Sequence, residues 1–253
     1  MVSKEFITGI CSHVLSKLYS DKDNLNLDKE QIKNISSIII EIIEKEKEWL
    51  LKNEINHFCR EFYDKDFFPA RSGNVSARLN SNVILITPTG INKNELTPDH
   101  IVKMDLEGNV ISSNFKPTSE AKMHLIIYKK LPEINAVVHA HPSFSTGFAA
   151  AGIAMNKEVL PEPFLVLGKI PLVEYSTPST DEVPDNLEKY LLDNKAFLLS
   201  NHGALTIGKD LYEAFHRIET LEVFAKIILI SRILGGEKIL TSEQLEKLKN
   251  IKR

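Results

Sequence analysis

The chain has 253 residues, 43% of them hydrophobic and 26% charged, the balance of a soluble globular protein and not of a disordered or fibrous one. Its 31 basic and 34 acidic side chains leave a formal charge of −3, so there is no basic field to hold a nucleic-acid backbone or an anionic membrane. Cys11 and Cys59 are the only cysteines, too few for a disulfide scaffold and outside any CxxC pair, which points to a reducing cytoplasm.

Residues 1–20 carry Lys4, Glu5, His13 and Lys17 and no long apolar stretch, so they read as neither signal peptide nor anchor. The longest uncharged apolar run, 147–155, is far short of the ~20 residues that a bilayer span requires. A short helix over about 4–18 and a polar turn from Tyr19 to Asn24 are expected first. Ile38, Ile39, Ile42, Ile43, Trp49, Leu50 and Ile55 then recur mostly at three- and four-residue intervals. That stripe predicts an amphipathic helix over about 28–62, with a break near Lys52-Asn53. The charge run 44–48 reads as its solvated face.

From Phe67 the pattern changes to short strands. Residues 72–79 and 83–87 form a hairpin closed by Asn80-Ser81-Asn82, and 101–105 and 109–111 are strands about the Glu107-Gly108 turn. Thr97-Pro98-Asp99 opens a helical turn, and Ser119 caps a helix that runs to about Lys130, where Pro132 stops it. Strands over 136–141, 170–173 and 196–199 alternate with helices over 143–151, 181–192 and 212–234, the last closed by Gly235-Gly236. The order predicts a layered α/β or α+β domain on a largely antiparallel sheet.

The most informative triplet is His139-Ala140-His141. Side chains alternate along a strand, so two histidines one residue apart project from one face and can grip one metal ion. The plainer reading is two partly exposed histidines at a strand end. His202, in Asn201-His202-Gly203, also follows a buried strand, where Gly203 permits a tight turn. Three neutral imidazoles with an open position suit a catalytic zinc, and nitrogen donors disfavour magnesium and calcium. His13, His57, His124 and His216 fall in helical stretches and His100 beside a turn; they read as surface or satisfied core histidines.

Glu120 opens a helix, where a carboxylate suits the positive end. Beside a Lewis-acidic metal it can also coordinate the ion and take a proton from a substrate carbon. The loops 71–76 and 87–90, with Thr118, Ser119 and the helix start beside them, offer hydroxyls, an amide and glycine-exposed N–H groups. They read either as plain turns or as an uncharged nest for a phosphate. No GxxxxGK[ST] or GxGxxG motif occurs, so a nucleotide cradle is unsupported.

Six motifs in order carry a resemblance: Gly73-Asn74-Val75-Ser76, Thr87-Pro88-Thr89-Gly90, Pro117-Thr118-Ser119-Glu120 with His124, Val138-His139-Ala140-His141, Tyr175-Ser176-Thr177-Pro178 and Asn201-His202-Gly203. They resemble the class II aldolase/adducin family, nearest its L-fuculose-1-phosphate aldolase branch, over about 53–236. The resemblance implies a three-layer α/β/α catalytic domain with a largely antiparallel central sheet over 51–240. Residues 1–50 would be an N-terminal helical extension. It also implies a homotetramer with active sites at subunit interfaces, and a zinc ion.

By motif position, the resemblance makes His139, His141 and His202 the zinc ligands and Glu120 the acid/base. It places the phosphate pocket on Gly73, Asn74, Thr89, Gly90, Thr118 and Ser119. Tyr175 would reach a neighbouring subunit's site and act on the aldehyde oxygen. The implied activity is reversible cleavage of a ketose 1-phosphate to dihydroxyacetone phosphate and an aldehyde through an ene-diolate. Pentulose-phosphate 4-epimerases and methylthioribulose-phosphate dehydratases share the family's zinc site, with Glu162 a loose candidate for an epimerase acid. Adducin-like members are non-enzymatic interaction domains, against which the retained histidines and Glu120 argue. Ser179-Thr180 stands where the family often has Gly-Thr, which leaves the local turn and the reach of Tyr175 open.

Overall fold

A computed structural model describes residues 29–250; the helix and turn expected over 4–24 lie outside them. The chain divides into two compact units between Leu50 and Leu51. Helix α1, Lys29–Asp64, contributes to both. In the first unit Ile38, Ile42 and Trp49 are exposed. The break expected near Lys52-Asn53 is absent: the helix contains neither glycine nor proline, the usual causes of a kink.

The second unit is built on a sheet of β1 (Asn74–Arg78), β2 (Val83–Ile86), β3 (Val102–Asp105), β4 (Val110–Ser112), β5 (Ala136–Ala140), β6 (Leu172–Val173), β7 (Ala196–Leu199) and β8 (Gly203–Gly208). These eight strands run in the order β4-β3-β2-β1-β5-β8-β7-β6. Every pairing is antiparallel except β6 with β7. The helices are α2 (Ala121–Lys130), α3 (Ser143–Ala150), α4 (Pro161–Val166), α5 (Glu182–Glu188), α6 (Leu211–Ile233) and α7 (Ser242–Lys249).

Alternation along the strands sorts the core into two layers. Val75, Ala77, Val138, Ala140, Leu198 and Ala204 face one way, against Phe58 and Phe62 of α1, Phe148 of α3 and Phe215 of α6. Val137, Phe197, Leu205 and Ile207 face the other way, against Met123, Ile127 and Tyr128 of α2 and Val183 and Leu187 of α5. The result is the expected three-layer arrangement. Its central strands are buried on both faces, so no period-two pattern marks β8, which the sequence reading missed together with α4 and α7. Helix α2 is tied to β1 by Arg78, which donates to the carbonyls of Tyr128 (2.8 Å) in its last turn and of Ile134 (2.9 Å) in the loop beyond it.

Two local expectations need correction. Ser119 does not cap α2: the N-cap is Glu120, Ser119 is exposed, and the hydroxyl that accepts the Glu120 N–H is that of Thr118. Gly203 is not a tight-turn residue. The left-handed position is Asn201, φ 55°, and Gly203 opens β8.

Candidate metal centre

β5 and β8 run side by side at the middle of the sheet. His139 sits within β5, His141 just past its end and His202 immediately before β8. One nitrogen from each of the three lies within 4.8 Å of the others. The rings of His139 and His141 are 4.7 Å apart, centroid to centroid, and those of His139 and His202 4.6 Å. This close approach depends on Gly203. A Cβ there would stand 2.6 Å from the Ala140 carbonyl oxygen and 2.6 Å from His141 Cδ2.

His139 Nδ1 lies 2.9 Å from the Ala204 carbonyl of β8. A carbonyl only accepts, so Nδ1 carries the proton, and in the neutral ring the lone pair is on Nε2. Burial, reinforced by the His202 ring, holds His139 well below the usual imidazole range. Burial and the neighbouring imidazoles push His141 down to about 3. Neutral rings are the form that binds metal.

Glu120, at the start of α2, completes the cluster. Its Oε2 is 3.4 Å from His139 Nε2 and its Oε1 3.3 Å from His202 Nε2. Among the described residues, His139 Nε2, His141 Nδ1 and Glu120 Oε1 are buried with no hydrogen-bond partner. Buried polar atoms are normally paired, and three imidazole nitrogens within 4.8 Å of one another, with buried ring nitrogens left unpaired, call for a cation. The residues therefore fit a divalent metal, with imidazole donors that suit zinc.

The loops expected to hold phosphate lie together beside Glu120. Thr89 N–H donates to the Lys116 carbonyl and Thr118 N–H to that of Thr87. Thr87 Oγ1 in turn accepts the N–H of Val75. Thr89, Gly90 and Ser119 are exposed, Thr118 and Gly73 buried. Gly73 is irreplaceable as glycine: φ is 73° and a Cβ would meet Phe68 Cδ1 at 2.1 Å. Asn74 also makes contacts within the protein. Its side-chain amide is directed to Glu120 Oε2, 2.7 Å, and to His124 Nε2, 2.5 Å.

Tyr175 is 59% exposed and the protomer does not bring it into the cluster. Its segment borders the site all the same. Ser176 shares a crevice with His202, and Thr180 another with Glu120. Ser179 adopts φ 67°, so it keeps a glycine-like turn. Glu162 lies in α4, in a groove against Glu213 and His216 of α6 that includes none of His139, His141 and His202.

Sequence reasoning named Ser76 and His124 within motifs without a role and did not single out Tyr128; all three are buried. The available signal was the four-residue spacing of Glu120, His124 and Tyr128, which places them on one helix face.

Imidazoles that could hold a metal ion, with a carboxylate beside them, are the groups that Lewis-acid and proton-transfer chemistry requires. The profile described as the class II aldolase and adducin N-terminal domain matches residues 53–229, and the chain belongs to this family. It is 36% identical over 197 residues to a 3-oxo-tetronate 4-phosphate decarboxylase of Haemophilus influenzae, covering 76% of this chain and 92% of that one. It is 41% identical over 174 residues to an L-fuculose phosphate aldolase of Methanococcus maripaludis, covering 69% and 93%. Among solved structures, an L-fuculose 1-phosphate aldolase matches with a TM-score of 0.73 at 31% identity, over 78% of this chain and 93% of that one. Aldolases and decarboxylases both break carbon–carbon bonds, and this chain is a lyase.

Proposed function

We propose that the protein is a zinc-dependent aldolase that cleaves a ketose 1-phosphate to dihydroxyacetone phosphate and an aldehyde. The observation that carries this reading is the approach of one nitrogen from each of His139, His141 and His202 to within 4.8 Å of the others, beside the Glu120 carboxylate. His139, His141 and His202 would hold the zinc. When bound, it supplies a Lewis acid that stabilises negative charge on the substrate's carbonyl oxygen.

The chain's own residues do the rest. Gly73, Thr89, Gly90, Thr118 and Ser119 bind the phosphate through N–H and hydroxyl donors. Asn74 belongs to the same pocket, its side-chain amide also bonded to Glu120 and His124. Tyr175, reaching in from a neighbouring subunit of a homotetramer, takes the proton from the hydroxyl that becomes the aldehyde. The electrons of the breaking bond pass into the ene-diolate, and Glu120 returns a proton to its carbon. Residues 51–240 form the catalytic domain and residues 1–50 a helical extension. No helix among the described residues is long and apolar enough to cross a membrane, and the proposed setting is the cytoplasm.

A second reading is favoured by one observation, the 36% identity to a 3-oxo-tetronate 4-phosphate decarboxylase. Loss of carbon dioxide from a 3-oxo acid generates the same kind of enolate, and the departing fragment has no hydroxyl proton to surrender. Tyr175 would then be dispensable, which accords with its exposure in the protomer.

Zinc-loaded protein incubated with ketose 1-phosphates and, separately, with a 3-oxo-tetronate 4-phosphate separates the two. Dihydroxyacetone phosphate with an aldehyde from a ketose 1-phosphate supports the aldolase; carbon dioxide from the oxo acid, whose other product is also dihydroxyacetone phosphate, supports the decarboxylase. Isomer exchange without release of fragments defeats both. Glu120→Gln should lower the rate by about 100-fold or more with zinc retained; full activity in that variant rejects the role given to Glu120.

A further inference from the structure

Alternation along β1 turns Asn74, Ser76 and Arg78 towards α2, and α2 presents Glu120, His124 and Tyr128 at four-residue intervals. The two sets interlock in single file. Tyr128 Oη is 2.8 Å from Ser76 Oγ, and Ser76 Oγ is 2.7 Å from His124 Nδ1. His124 Nε2 is 2.5 Å from Asn74 Oδ1, and Asn74 Nδ2 is 2.7 Å from Glu120 Oε2. Tyr128, Ser76, His124 and Asn74 are no more than 3% exposed.

Elementary donor and acceptor chemistry fixes the direction of every link. An ionised Glu120 only accepts, so the Asn74 atom facing it is the amide nitrogen. The Asn74 oxygen then faces His124, so His124 Nε2 carries a proton. A neutral ring with its proton there has a bare Nδ1, which takes the Ser76 hydroxyl hydrogen. Ser76 is left to accept from the Tyr128 hydroxyl. All the donors point one way, and the file ends on a single carboxylate oxygen.

We propose that His124 and Asn74 are positioning residues: their hydrogen-bonded file holds Glu120 by Oε2 and reserves Oε1 as the oxygen that exchanges protons with the substrate. This rests on the reading of Glu120 as the acid/base. Oε1 is the oxygen that is buried and without a hydrogen-bond partner among the described residues. Burial pushes His124 down to about 4, so near neutral pH the ring has one N–H and the file keeps its direction. An Asn74 amide turned the other way would set its oxygen against the carboxylate, a contact of two acceptors. His124 therefore governs which end of Asn74 reaches Glu120.

The test pairs kinetics with spectroscopy. His124→Phe should lower kcat by about 10- to 100-fold, with KM for the sugar phosphate within about twofold and the zinc content unchanged. His124→Gln can still donate an N–H to Asn74 and should recover most of the loss. A purely structural role would instead lower the unfolding midpoint of both variants without dividing kcat from KM, and that result overturns the inference. The second measurement needs no variant to turn over substrate: nitrogen-15 histidine spectra of the wild-type holoenzyme. The expected result is a His124 ring with its proton on Nε2 and a bare Nδ1; a proton on Nδ1 overturns the inference. Should the wild type release neither dihydroxyacetone phosphate nor carbon dioxide, the proposed reaction fails while the tautomer still decides this one.

Discussion

Replacing Gly203 by alanine adds one methyl group where β5, β8 and two of the imidazoles meet. The new carbon would stand 2.6 Å from the Ala140 carbonyl oxygen, 2.6 Å from His141 Cδ2 and 3.2 Å from His139 Cε1. Comfortable non-bonded separations are about 3.5–4.0 Å, so roughly 1 Å of relief is needed. Ala140 cannot supply it, because its strand is paired with β8 through Ala140–Ala204 and His139–Leu205. Either β8 backs away at its first residue or the His141 ring turns out of the cluster. Overpacking of this kind costs about 1–3 kcal/mol, which for a domain of this size lowers Tm by roughly 2–12 °C. Displacing a ligand or its support should weaken zinc binding by about 10- to 100-fold. Urea unfolding of chelator-treated protein reads the first effect and a competitive zinc titration the second. Gly147→Ala is the control: it lies in α3 with nothing within 4 Å of the new carbon, so a gain of about 0.5–1 kcal/mol is expected. A Gly203→Ala protein with wild-type stability and wild-type zinc affinity would refute the reasoning.

Acid should destabilise the chelator-treated protein. His124 is pushed down to about 4 and His141 to about 3 by burial, against about 6.5 in an unfolded chain. Below about pH 6.5 the unfolded chain binds more protons, so stability falls as the pH drops towards 4, by up to ~1.4 kcal/mol per pH unit for each imidazole. Denaturant midpoints at about pH 7 and about pH 5 that coincide would contradict this. Cys59 is fully buried and burial pushes its thiol up to about 12. Mass spectrometry of its peptide should find it unalkylated by iodoacetamide in the folded protein and alkylated in urea; labelling at the unfolded rate would show that the α1 core opens.

What the sequence revealed, and what it hid, follows from how each signal arises. Short strands bounded by polar turns stood out, as with Val83–Ile86, because turn residues are a local property. β8 did not: Gly203, Ala204 and Gly208 are small and both its faces are buried, so neither bulk nor alternation marks it. The imidazole trio was legible as a motif, but its closeness was not, since it depends on a glycine packed against a strand 63 residues earlier. The contacts of Asn74 with Glu120 and His124 were hidden for a related reason. Asparagine in a glycine-flanked loop suggests a ligand contact, and only the tertiary pairing of β1 with α2 turns its amide to Glu120. Ser179 shows the converse. The residue type argued for an altered turn, and the backbone nonetheless holds φ at 67°, a strain the surrounding chain must absorb.

The strand that carries His139 has β1 on one side and β8 on the other, and β8 is the last in chain order of the eight described strands. During translation β5 therefore waits with one edge open, apolar on both faces, until Gly203–Gly208 leaves the ribosome. An unpaired strand edge of that kind invites association with other chains. The partner that closes it also brings His202. In this topology protection from aggregation and completion of the ligand set arrive in the same event, so nascent chains arrested before residue 203 should be both inactive and adhesive.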